Sequence, residues 1–154
     1  MSAPLWIAAM PLLVRMMPAR DKYHDCVCNA LIKDGWTITS DPLVLKWGGK
    51  DLYVDLGAER LLAAEKGSEK IAVEVKCFVG PSDMAELEQA LGQFVLYRSI
   101  LARQEPNRRL LLAIPEFAWH DVFEDAMGPI LFEDKLVCGF VFDVETQEII
   151  RWMP

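Results

Sequence analysis

The sequence predicts an α/β fold, a mixed central β-sheet flanked by helices, and three observations carry that prediction. Apolar residues recur at helical spacing over 21–33 and again after residue 82. Short runs rich in Val, Ile and Leu lie between and after them, and Gly, Pro and Asp punctuate the joins. A length of 154 residues with 53% hydrophobic content is enough for one domain with its own core, which excludes a disordered chain.

The elements follow in order. Met1 to Met16 contains two apolar stretches, Trp6 to Met10 and Leu12 to Val14, that resemble a signal segment. No positive charge precedes them, Pro11 interrupts them, and they are too short to span a bilayer, so they are expected to form a poorly ordered extension outside a single domain at 17–154. Asp21 to Lys33 places Tyr23, Val27, Ala30 and Leu31 on one face and stops at Asp34-Gly35, which predicts a helix. Thr37 to Ser40 and Leu43 to Trp47 read as short strands around Asp41-Pro42, and Gly48-Gly49 reads as a hairpin turn rather than a phosphate loop. Leu52 to Leu56 alternates as the next strand, with Asp55 on one side. Ile71 to Lys76 reads as a buried central strand. Ser82 caps a helix whose stripe is Leu87, Ala90, Leu91, Phe94 and Leu101. Leu110 to Ile114 is an apolar strand, Phe117 to Met127 a weaker helix, and Val137 to Asp143 and Glu148 to Met153 are two strands joined by a polar turn.

Chemistry concentrates on the central strand. Alternation sends Ile71, Val73 and Val75 to one face and Glu74 and Lys76 to the other, about 6.6 Å apart along the strand. Glu-x-Lys is common on the wet face of a half-covered sheet, but here it is followed by Cys77-Phe78-Val79, and charges in a central strand need a reason. Asp55 and Glu74, with the Val75 carbonyl as a third oxygen, match what a hard Mg²⁺ or Mn²⁺ ion prefers. Lys76 then supplies positive charge for phosphodiester hydrolysis, and Gln93 or Gln89, on the helix after Ser82, offers an amide to the same site.

The remaining residues bound the reading. Net charge is −7, from 16 basic and 23 acidic residues, so there is no broad electrostatic footprint for duplex DNA. Either a metal and a basic partner supply positive charge, or contact with DNA is weak. Cys26, Cys28, Cys77 and Cys138 form no CxxC pair and read as buried free thiols rather than zinc ligands or disulfides, in a reducing cytoplasm, and His24 and His120 show no partner at metal-ligand spacing. Trp36, Trp47, Trp119 and Trp152 read as core or interface aromatics.

The order of strand with Asp, strand with Glu-x-Lys and helix with Gln resembles the PD-(D/E)xK nuclease superfamily, the restriction-endonuclease-like fold. The segments 17–25, 30–36, 48–59, 71–76, 90–98 and 112–115 more specifically resemble XisH proteins, the fdxN-element excision-controlling factors, over nearly the whole chain from Met17. The resemblance implies a part in site-specific DNA excision in heterocyst-forming cells, with an XisI-type protein as partner. It places the nuclease acid on Asp55, the motif pair on Glu74 and Lys76, the helical glutamine on Gln93 or Gln89, and the first-helix acid on His24 or Asp25. Two activities stay open at this point: a Mg²⁺- or Mn²⁺-dependent endonuclease, and a non-catalytic accessory protein that binds the XisI-type partner. A homo-oligomer is a further open assembly, and no membrane association is expected.

Overall fold

The chain begins its described course, in a computed structural model covering residues 19–52 and 61–154, with helix α1, Ala19–Lys33. The expected stop at Asp34-Gly35 is there: Gly35 takes φ +94°, its N–H donates to Ile32 O, and Trp36 N–H donates to Leu31 O at 2.9 Å. These two bonds satisfy carbonyls that a helix end otherwise leaves open, and glycine adopts the left-handed turn without a Cβ penalty.

Strands β1 (Thr37–Ser40), β4 (Leu61–Lys66), β5 (Glu69–Val75), β6 (Arg108–Pro115), β7 (Gly139–Asp143) and β8 (Glu148–Met153) form one sheet in the order β1-β4-β5-β6-β7-β8. β5, β6 and β7 run parallel, while β1/β4, β4/β5 and β7/β8 are antiparallel, so the sheet is mixed as expected. Among the described residues, β2 (Leu45–Trp47) and β3 (Lys50–Leu52) pair with each other across the Gly48-Gly49 turn, apart from the main sheet. Of the strand expected over 52–56, Leu52 pairs with Leu45, and 53–56 lie outside the described residues. The antiparallel neighbour of β5 is β4, turned back by Gly67 at φ +61°. Leu-Leu-Ala-Ala-Glu-Lys is made of good helix formers, and pairing with β5 overrides that preference.

Helix α2, Asp83–Gln104, starts as predicted: Ser82 Oγ accepts the Ala85 N–H at 3.2 Å. It forms the crossover from β5 to parallel β6 and so runs back against the strand direction. The predicted helix over 117–127 differs from expectation. It is a short α-turn, α3 (Glu116–Ala118), that widens into π-helical turns at Trp119–Met127 and Pro129–Glu133, with Gly128 N–H donating to Phe123 O five residues back. Stacked Trp119 and Phe123 and edge-on Phe132 fill the interior of that segment.

The sheet divides two cores. On one face α1 packs Tyr23, Cys26, Val27 and Leu31 against Leu62, Ile71, Val73, Val75, Leu111, Phe140 and Phe142. On the other, α2 and the π-helical segment pack Leu87, Phe94, Tyr97, Leu101 and Phe123 against Leu61, Ala72, Phe78, Leu112 and Ile114. Trp36 and Trp119 belong to these cores, whereas Trp47 is exposed. Among the described residues no helix is long and apolar enough to cross a membrane. The expected extension at 1–16, and Asp55, lie outside the described residues.

Candidate metal and phosphodiester site

β5 sits between β4 and β6, and its two faces alternate through and beyond its end. Ile71, Val73, Val75 and Cys77 enter the α1 core, while Ala72 and Phe78 enter the α2 core. Glu74 and Lys76 fall between Ala72 and Phe78 in the same alternation, so both point to the α2 side. Each is almost sealed from water, Glu74 at 5% and Lys76 at 1% exposure. The Lys76 N–H donates to Ala113 O at 3.1 Å, which extends the ladder one residue past β5 and turns the Val75 carbonyl away from β6.

Tyr97 of α2 lies near enough to Glu74 to feel its charge. Its hydroxyl pKa is pushed up to about 12, first by burial and then by the negative charge of Glu74. Gln93 lies one turn before Tyr97, half-buried; because α2 runs against β5, that turn moves it from the Glu74 level toward Lys76. Gln89 is another turn away and exposed. Of the two glutamines, Gln93 is therefore the one partly withdrawn from solvent, one turn from Tyr97, and Gln89 is at the surface. Beside the turn into α2, the buried Glu86 accepts the Gly80 N–H at 3.1 Å, which fixes the connection from Lys76 to the helix.

The two first-helix candidates separate. Asp25 is exposed, and its charge acts on Cys26, whose thiol pKa is raised to about 11 by burial, then by Asp25 and Asp143. His24 is buried, and its Nε2 lies 2.9 Å from both carboxylate oxygens of Asp41. Cys28, one turn further along α1, brings its Sγ to 3.8 Å from Asp41 Oδ2. This overturns the expectation that His24 has no partner at metal-ligand spacing and that Cys28 is a buried thiol: Cys28 is half-buried and shares Asp41 with His24. The only sequence signal was the four-residue spacing of His24 and Cys28 on a helix; Asp41 arrives from the turn after β1 and is not local to them.

Two surface clefts flank His120, one lined by Asp83, Asp121 and Asp125 and the other by Glu116, Asp143 and Glu145; neither is lined by Glu74 or Lys76. His120 is held between Glu116 and Glu124, and its hydrogen bond to Glu124 raises its pKa.

Comparison with known proteins places these features in a family. The family model described as XisH protein matches residues 17–150. A crystal structure of an XisH family protein from Nostoc punctiforme PCC 73102 is similar at TM-score 0.77 and 41% identity, covering 87% of this chain and 100% of that one. A fdxN element excision controlling factor protein from Anabaena variabilis is similar at TM-score 0.77 and 42% identity, covering 87% of this chain and 99% of that one. No curated protein matches the chain.

Proposed function

The chain belongs to the XisH family, and on that premise we propose that it acts in the control of DNA excision through a divalent-metal phosphodiesterase site of the PD-(D/E)xK type. The observation that carries the proposal is the placement of Glu74 and Lys76 on one face of a central strand, both withdrawn from water. Burying two ionisable groups in a sheet is costly, so their presence there calls for a reason.

The donor set fits a hard cation. Glu74 offers carboxylate oxygen, Val75 a carbonyl, and Asp55 is the second carboxylate, all oxygen donors of the kind Mg²⁺ or Mn²⁺ takes. These donors would hold the ion, and the chemistry it would supply is Lewis acidity toward a phosphoryl oxygen and toward water. The chain's own residues do the rest. Lys76 holds a fixed positive charge where negative charge grows during phosphoryl transfer, and it needs no solvent reorganisation because it is already desolvated. Tyr97 stays protonated at neutral pH and can donate toward Glu74. Gln93, able both to donate and to accept, is the amide placed to orient a water or phosphate oxygen, ahead of Gln89. With a net charge of −7 the protein needs positive charge from elsewhere to hold DNA, which is the role we assign to an XisI-type partner.

A second reading has its own observation. Lys76 is so fully covered that a phosphate reaches it only if the surrounding elements part. A non-catalytic accessory factor would use Glu74 and Lys76 as an internal ion pair instead. Metal-dependent cleavage of supercoiled and single-stranded DNA by the purified protein, alone and with its XisI-type partner, separates the two. The phosphodiesterase reading expects cleavage that Lys76→Ala reduces by at least about a hundredfold while fold and partner binding persist. No cleavage by the wild type, together with a Lys76→Ala protein that is merely several kcal/mol less stable, as expected for a broken buried ion pair, would establish the accessory role.

A further inference from the structure

His24, Cys28 and Asp41 form a second constellation, independent of the Glu74 site and of the activity proposed for it. Their ligand atoms, one imidazole nitrogen, one thiol sulfur and one carboxylate oxygen, all lie within 4.8 Å of one another. His24 and Cys28 stand four apart on α1 and therefore share a face, and Asp41 reaches them from the turn that follows β1. From these atoms we infer a transition-metal site of the zinc class.

The chemistry of the set points away from Mg²⁺ and Ca²⁺, which take oxygen, and toward a borderline-soft ion that accepts nitrogen, sulfur and oxygen together. The geometry agrees. With ordinary zinc bond lengths of about 2.0 to 2.3 Å and tetrahedral angles, ligand nitrogen and oxygen stand about 3.3 Å apart and sulfur and oxygen about 3.6 Å apart. In the structure the corresponding separations are 2.9 Å for His24 Nε2 to Asp41 Oδ2 and 3.8 Å for Cys28 Sγ to the same oxygen. The third pair, imidazole nitrogen and sulfur, lies within 4.8 Å, so side-chain shifts of about an ångström or less convert one arrangement into the other. The histidine is fixed in the interior at 1% exposure, while the Asp41 side chain, at 26%, gives the site a solvent approach. Three protein ligands leave a fourth tetrahedral position for water or an incoming group, and an ion there would tie α1 to the turn leading into the β2–β3 hairpin.

Binding takes the Cys28 sulfur as thiolate and the His24 imidazole as the neutral ring, so one or more protons are released on loading. The test uses the full chain, stripped with a chelator and titrated with Zn²⁺ by calorimetry and with Co²⁺ by absorption. The expected result is a thiolate-to-cobalt charge-transfer band that grows in with the first equivalent bound at this site, and displacement of Co²⁺ by Zn²⁺. Cys28→Ser should abolish the band and weaken Zn²⁺ by at least about tenfold, the lower scale for disturbing ligation. Asp41→Asn, a surface change that leaves the buried histidine in place, should weaken it similarly, and Glu74→Gln should leave Zn²⁺ affinity and the band unchanged. Absence of the band in the wild type, or undiminished Zn²⁺ binding in both Cys28→Ser and Asp41→Asn, overturns the assignment. Loss of Zn²⁺ binding in Glu74→Gln alone overturns it too, and would place the ion at the other site.

Discussion

On one face of β5, Ile71, Val73, Val75 and Cys77 present an unbroken apolar row to α1; on the other, Ala72, Glu74, Lys76 and Phe78 present a row interrupted twice by charge. The backbone and its hydrogen bonds are common to both rows, so what differs is only what the side chains ask of their surroundings. The α1 face asks for contact and gains stability from filling space. The α2 face asks for polar company and gives up apolar burial to hold two ionisable groups on the side of Tyr97. Apolar packing and buried charge are thereby assigned to opposite sides of one strand.

That division predicts unequal consequences for substitution. The largest effect belongs to the apolar face. Leu111, fully buried next to Val73 in the sheet, should cost about 2 to 5 kcal/mol when cut to Ala, read as a lower denaturant midpoint with an unchanged slope. The metal response of the remaining folded protein should survive, and its loss would show that the two faces are not separable. Next comes Glu74→Gln, which keeps shape and removes charge. Mn²⁺ or Mg²⁺ at about a hundred times its dissociation constant should stabilise the wild type by about 2.7 kcal/mol, seen as a rise in Tm, and the variant should show none of that rise. An equal rise in the variant would remove Glu74 from the site.

The smallest effect is a titration. Tyr97 deprotonates near 10 in an unfolded chain and near 12 in the fold, so the folded protein holds more protons across that interval. Its contribution to stability is complete below pH 10 and is lost as pH rises toward 12. Tyr97→Phe should flatten that part of the stability profile. Glu74→Gln should bring the tyrosinate absorption of Tyr97 to lower pH, by removing the second of its two causes while leaving burial, the first. An unmoved titration would separate Tyr97 from Glu74.

Much of this division was legible before any coordinates, because a period of two assigns faces whatever the partners turn out to be. β5, the stop of α1 at Gly35 and the Ser82 cap all rest on signals local to a few residues. β4 was not legible: Leu61–Lys66 carries helix-forming residues and becomes a strand only because β5 pairs along its full length. The π-helical widening after Ala118 was hidden for a related reason, since its amphipathic pattern is compatible with an ordinary helix until Trp119, Phe123 and Phe132 must stack. Of the charged groups, Glu74 and Lys76 announced themselves by standing in an apolar run. His24 did not, since its partner Asp41 lies 17 residues away and the pairing depends on where the chain turns after β1.

β5 acquires its two neighbours at very different distances along the chain: β4 lies across a short turn, whereas Val75 meets Ala113 of β6 only after the whole of α2 has been traversed. The hairpin can form early and locally, and the parallel pairing must wait for a long loop to close. Until that closure Glu74 and Lys76 remain hydrated, and their water is surrendered in the step that docks α2 and β6. The charged pair thus sets a toll on the speed of assembly as well as on its endpoint. Replacing both residues with apolar ones of similar size should hasten the docking step, because the protein then has no charged pair to strip of water as its sheet closes.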